Sequence, residues 1–418
     1  MRTNDPETGV LVVPDPRPRN QPSLGFEPDS LPPAAAQSLG RTFDFQSYPD
    51  CPHPGRHPIQ ALCWLVQLLF GLLSLFLMLA WLAAIPLVNF LALGYLLEAE
   101  GRVARTGNLR EGLPLLPLAP RLGSIALGVW LWLWPVRWIT DAAADAQLIA
   151  PESNVAANWR LAKAIVIAGI VIHLIFALAR GGGFWTFFRP IKNVRWLIEE
   201  FRAGTYLAAA STAIQEFWSA LRIPHHFSLG CRGFLGAFAW LVLPTALFAA
   251  MQSTQKPGQV LITLLGGVLL SIVLVWLPFL QARFAAENRL SAFRDVGAVR
   301  EMFRRAPLAS FFALTFLYAV SLPLSLTKIA VPPRDALWMI TPIFIATIYP
   351  SRLFVGWTYA RAQRKERRSW RSLHWTLRGA LVPVLAIYLF LLFFTPAIDA
   401  YGRRVLFEYP ALLIPAPF

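Results

Sequence analysis

The chain has 418 residues, of which 56% are hydrophobic and 15% charged, with a formal net charge of +15. A soluble domain of this length cannot hide so much apolar material, so lipid is the expected solvent. The basic excess does not indicate nucleic acid, because Lys and Arg sit in short segments between long apolar runs, which is the pattern of membrane topology.

Residues 1–59 hold 12 of the 34 prolines and show no apolar periodicity. They read as a disordered or loosely extended tail. The longest apolar run in the first 30 residues, Val10-Leu11-Val12-Val13, is too short for a secretory signal, so insertion is expected to rely on the spans themselves. Cys51, Cys63 and Cys231 form neither an even framework nor a CxxC pair, and no structural disulfide is expected.

From residue 60 to about 400 the sequence predicts a transmembrane helical domain, followed by a short C-terminal tail over 401–418. Apolar windows near 61–84, 122–140, 161–180, 233–253, 259–281, 308–327, 336–355 and 379–398 each approach the roughly 20 residues needed to cross about 30 Å of hydrocarbon. The expected fold is therefore an all-α bundle of about eight spans. The first window is ambiguous, because apolarity continues from Ala61 to Leu97 with only Pro86, Asn89 and Gly94 interrupting it. A tight hairpin there makes nine.

Two segments between spans carry helical spacing but too much charge to cross. Ile191, Val194, Leu197, Ile198 and Phe201 oppose Lys192, Arg195, Glu199 and Arg202, and Phe284, Leu290, Phe293 and Val296 oppose Arg283, Arg289 and Arg294. Such helices lie in the membrane interface or pack on the cytosolic ends of spans. The steps Ile85-Pro86, Arg189-Pro190, Leu277-Pro278 and Tyr349-Pro350 suggest bends where spans turn into these connections, since proline lacks the N–H that continues a helix.

Charge orients the chain. The connections 99–121, 180–232, 282–307 and 352–378 hold 25 Lys and Arg, whereas the alternate set 141–163, 254–258, 328–335 and the residues after 398 hold 7. Short loops rich in Lys and Arg stay cytosolic, where anionic lipid attracts each basic group by about 1 kcal/mol. Anionic headgroups are thus the expected partner of this face, and no nucleic-acid partner is expected. Eight spans place the N-terminal tail outside and nine place it inside, and the count of eight is slightly favoured.

Polar groups inside apolar spans are costly and therefore candidate functional residues. Arg137, Asp141 and Asp145 recur at four-residue spacing at the outer end of the second span, which puts Arg137 and Asp141 within pairing reach. Trp130, Trp132, Trp134 and Trp138 beside them also fit a plain interfacial belt. His173 falls in the middle of the third span; a neutral imidazole bonded to a neighbouring helix explains it, and a proton relay or ligand site is the sharper alternative. Asn89 and Gln281 lie near proline bends, where donors to freed carbonyls are needed, so both are structural candidates.

Glu98 and Arg102 form an i,i+4 pair that reads as a solvated helix face. His225, His226 and Cys231, and Cys51, His53 and His57, lack metal-ligand spacing. Gly181-Gly182-Gly183 follows a span and lacks the Lys-Ser/Thr of a phosphate loop, so it reads as a turn. No catalytic residue, metal or cofactor is assigned from these patterns.

Three stretches carry a resemblance: Leu93-Gly94-Tyr95-Leu96-Leu97-Glu98 with Gly101-Arg102-Val103, then Leu277-Pro278-Phe279-Leu280-Gln281-Ala282-Arg283-Phe284, then Phe303-Arg304-Arg305-Ala306-Pro307. They resemble an uncharacterised family of bacterial multi-pass membrane proteins, a domain of unknown function associated with planctomycetes. The resemblance implies a bacterial inner-membrane setting and carries over no site residue. The leading functional expectation is a protein of transport or lipid-handling type, with Arg137, Asp141 and His173 as substrate-path candidates. A membrane scaffold without catalytic activity is the alternative, and a membrane-embedded enzyme the third.

Overall fold

A computed structural model describes residues 51–204, 211, 215, 217–252, 257–326, 337–398 and 402–415. The Pro-rich tail expected over 1–59 lies outside the described residues except for 51–59, of which 51–57 lead through a turn and Pro58 and Ile59 already open the first helix. Among the described residues the chain is all α, without strands. The helices are α1 (Pro58–Ala84), α2 (Asn89–Thr106), α3 (Ala119–Ile149), α4 (Asn154–Ala179), α5 (Pro190–Ala203), α6 (Ile223–Phe248), α7 (Pro257–Glu287), α8 (Val296–Arg305), α9 (Pro307–Leu326), α10 (Leu337–Arg364) and α11 (Arg371–Ile398).

Eight of them, all but α2, α5 and α8, are long and apolar enough to cross a membrane. Every predicted window has its helix, and α3, α4, α6, α7, α10 and α11 overrun the apolar stretch by several residues at one or both ends. A helix ends where its hydrogen-bond ladder meets a cap or a breaker, not where hydrophobicity falls. Leu62, Val66, Leu69 and Leu73 on α1, and Leu261, Leu264, Leu265 and Val268 on α7, are exposed. Stripes of exposed leucine on long helices are at equilibrium only against hydrocarbon. The protein is an integral, multi-pass membrane protein.

The centre of the fold is α2. Residues Ala92 to Gly101 are buried without a break, although the helix carries Glu98, Glu100, Arg102 and Arg105. Its neighbours reach it at glycines. A Cβ on Gly94 would fall inside the carbonyl oxygen of His226, and one on Gly230 inside that of Phe90, so the backbones of α2 and α6 touch there. Gly101 meets Ala285 of α7 in the same way, and Gly356 of α10 meets the carbonyl of Glu100. Small residues at membrane helix contacts let backbones approach and gain dispersion energy where lipid supplies no hydrophobic drive. Gly107, in the left-handed region at φ +69°, caps the helix and returns its N–H to the carbonyl of Val103.

The chain reverses before α2. Tyr349 of α10 contacts both Phe76 of α1 and Tyr95 of α2, with ring centroids 5.4 and 6.1 Å apart, and residues 19 positions apart in sequence meet one ring only if the chain turns back. The turn spans Ile85–Val88, with Leu87 left-handed at φ 69°. Glu98 with His225 and Phe90 with Phe234 run α2 antiparallel to α6, while Tyr95 with Tyr349, Glu100 with Arg352 and Gly107 with Arg364 run it parallel to α10. This is the hairpin weighed as an alternative from the sequence. The count of eight apolar spans stands, and α2, too charged to be one of them, runs alongside α6 and α10 as the second arm of the hairpin.

Start of α1 and end of α2 therefore share a face. In a background with the other two cysteines replaced by Ser, Cys51 should share its accessibility to a membrane-impermeant thiol reagent with Ser369→Cys and oppose Glu152→Cys. Co-labelling of Cys51 with Glu152→Cys would return the tail to the opposite face.

Three local expectations are corrected. Pro278 and Pro350 lie inside α7 and α10, which run on to Glu287 and Arg364, while Pro190 opens α5 and Pro86 sits in the α1–α2 turn. The segment 284–296 is not one amphipathic helix: Phe284 and Phe293 are buried on the last turn of α7 and on a 3-10 turn over Leu290–Arg294, with Asn288, at φ 54°, breaking the helix between them. The C-terminal segment is not a free tail, because Leu406, Tyr409 and Leu412 are buried in the bundle and Tyr409 pairs its hydroxyl with that of Thr245 at 2.9 Å. Helix α5 does form over the predicted stretch, with Ile191, Val194 and Ile198 exposed as an interfacial helix requires. Gly181 and Gly182 turn at positive φ, as read from the sequence.

Candidate functional site

The residues singled out from the sequence are not brought together. Arg137 and Asp141 are both exposed on α3, and the ion pairs among the described residues do not include them. Both side chains stand on the outside of the bundle, where no packing holds two long side chains in one geometry and pairing returns little against the freedom lost. Arg137→Ala and Asp141→Ala should each change unfolding stability in detergent by only about 0–1 kcal/mol and add in the double variant; a coupling well above 1 kcal/mol would restore the pair.

His173 is buried, and its Nε2 lies 2.8 Å from the carbonyl oxygen of Phe187. A carbonyl only accepts, so Nε2 carries the proton. Trp132 donates to the same oxygen at 2.9 Å and packs its ring 4.8 Å from the imidazole. Next to it Asn193 donates to Thr186 O at 2.7 Å and accepts from Arg180 at 3.1 Å. His173 thus holds the turn after α4 in place, with a turn carbonyl as its partner instead of the neighbouring helix weighed for it. Gln281 also serves backbone, donating to Leu412 O at 2.7 Å, but that carbonyl belongs to the C-terminal segment and not to the proline bend. Asn89 is buried with Oδ1 unpartnered.

The polar centre of the molecule lies on α2 instead. Glu100 and Arg352 form an ion pair at 3.0 Å with side chains 2% and 4% exposed. Arg352 uses Nη1 for it, while Nε and Nη2 have no partner. Two residues earlier, Glu98 accepts from Arg102 at 3.0 Å, with Arg105 at 3.7 Å and His225 Nε2 at 3.3 Å. Tyr95 and Tyr349 place their hydroxyls 3.3 Å apart, and Tyr349 donates to Gly112 O, so Tyr95 donates to Tyr349. His226 packs 5.9 Å from the Tyr95 ring with Nδ1 buried and unpartnered.

Glu98 is therefore no solvated face, as the i,i+4 pattern suggested, but a buried carboxylate between three cationic or cation-capable groups. Two carboxylates, an under-bonded guanidinium and two imidazoles line one buried helix. Such a set can bind a polar or charged group or rearrange its own pairing. Among the described residues no group of three or more His, Cys, Asp and Glu is arranged to hold a metal ion.

Sequence reasoning missed Glu100 and Arg352. Glu100 stood at the edge of the long apolar run, and Arg352 was counted with the cytosolic charges. The available signal was the exceptional length of that run, which left room for a helix buried on every side. No family, curated protein or solved structure matches the chain.

Proposed function

We propose that the chain is an integral protein of a bacterial inner membrane, of transport or lipid-handling type, with α2 as its working element and the Lys- and Arg-rich helix ends on the cytosolic side. The observation that supports this reading is the buried Glu100–Arg352 pair with its two unpartnered guanidinium nitrogens. A buried ion pair is at best a weak source of stability, and an apolar pair of similar volume would hold the bundle as well or better. Charge kept inside a membrane bundle marks a path or a switch. Arg137, Asp141 and His173 have no part in the mechanism proposed.

The scaffold reading has its own support in the glycine contacts that clamp α2 against α6, α7 and α10. The test is mass spectrometry of lipids and small molecules that co-purify with the native protein, followed by thermal unfolding with each. A compound that raises the melting temperature of the wild type, but not of the Glu100→Gln/Arg352→Met double variant, is the expected result. Stabilisation of both alike places the ligand elsewhere and overturns the role of α2. Co-purifying protein with no stabilising small molecule supports the scaffold.

A further inference from the structure

The start of α9, the end of α10 and the start of α11 enclose a groove of about 360 Å³. Its floor is apolar, made by Pro307, Leu308, Phe312, Phe354, Trp357 and Leu373, and its rim carries Arg361 and Lys365. An adjoining cleft of about 250 Å³ shares Trp357, Arg361 and Lys365 and adds Arg364. Leu308 and Phe312 are 49% and 56% exposed, so the apolar floor opens laterally along the face of α9.

The rim is preorganised for a negative charge. Arg361 lies over the Trp357 ring at 5.2 Å, which fixes the guanidinium without neutralising it. Trp357 stacks in turn on Phe354, with centroids 5.7 Å apart. No carboxylate lines either cavity. The acid on the neighbouring α8, Glu301, is already engaged: Arg368 donates to it at 2.9 Å and Arg305 at 3.3 Å, and these bonds, Arg368 first, hold its carboxyl below the usual range. The same Arg368 contact, with Ser369 N donating to Arg304 O at 2.8 Å, ties the 365–370 connection over the groove as a wall. Trp370 and Trp375, 84% and 67% exposed, flank it as interfacial tryptophans do.

A cationic rim above an apolar floor that opens sideways at the level of exposed tryptophans matches one occupant. We infer that this groove binds an anionic phospholipid, its phosphate held by Arg361 and Lys365 and an acyl chain lying on Leu308 and Phe312. The site shares no residue with the α2 centre, and its fate is independent of the role proposed there.

The test is thermal unfolding of the purified full chain in detergent with short-chain phosphatidylglycerol, the matching phosphatidylcholine, or inorganic phosphate. Phosphatidylglycerol should raise the melting temperature of the wild type by about 3 °C or more, with phosphatidylcholine and phosphate giving less than half of that. Arg361→Gln/Lys365→Gln should lose the shift, and Arg367→Gln/Arg371→Gln, which removes equal charge from the same face outside the groove, should keep it. Should the first double variant not fold, Lys365→Gln alone, at an exposed position, should reduce the shift. Equal stabilisation by phosphatidylcholine would make the groove a general lipid contact, an equal effect of phosphate would make it an anion site, and an equal loss in the control variant would reduce it to bulk charge; each overturns the inference.

Discussion

Arg352→Met should destabilise the detergent-solubilised protein by about 3–5 kcal/mol, because it leaves the Glu100 carboxylate buried with no cation beside it. The pair is 3.0 Å apart with both side chains almost wholly removed from solvent, so neither water nor a mobile counterion can replace the lost guanidinium. Glu100→Gln should cost a similar amount for the opposite reason, since Arg352 already has two unpartnered nitrogens and would keep its charge without its one acceptor. The double variant replaces both charges by neutral groups of comparable volume and should be less destabilised than either single variant. Thermal or denaturant unfolding of the four proteins forms a closed cycle, with an expected coupling of several kcal/mol. Additive effects would mean that the two charges do not depend on each other, and the switch or path reading of α2 would fall with them.

The second large effect is steric. Gly94→Ala and Gly230→Ala each set a methyl against backbone of the facing helix, the carbonyl of His226 in one case and of Phe90 in the other. Backbone cannot move aside as a side-chain tip can, so α2 and α6 must separate along their whole contact. Overpacking of a dense interior costs typically about 1–3 kcal/mol and occasionally more, and here it also lengthens the Glu98–His225 contact at the end of the same seam. A loss of about 3 kcal/mol is expected for either variant, read as a lowered melting temperature. Gly267→Ala is the control, because its added carbon meets only the Phe248 ring at 3.4 Å. That variant should hold or gain up to about 1 kcal/mol from better helix propensity. Equal losses at all three glycines would show that helix propensity, not close approach, governs the effect.

What the sequence determined by itself was solvent and class. Windows of some 20 apolar residues have one stable form in hydrocarbon, the helix, because every backbone N–H and C=O must be satisfied within the segment. Eight long helices accordingly stand where eight windows were read, and α5 formed where apolar and charged residues alternate at helical spacing. These properties are local, one residue's hydrophobicity beside the next.

The centre of the molecule is not local. Whether the apolar run from Ala61 to Leu97 makes one leg or two depends on what receives the second. That was decided by Gly230, Gly356 and Ala285, each more than 120 positions away, which open space for the α2 backbone. Arg352 looked like an ordinary cytosolic charge until its helix was laid beside Glu100, 252 residues earlier in the chain. Conversely, Arg137 and Asp141 have the spacing of a pair yet stay apart, since four-residue spacing sets only proximity along a helix. Whether two charges meet is settled by how far the surrounding packing removes them from water, and that depends on neighbours distant in sequence.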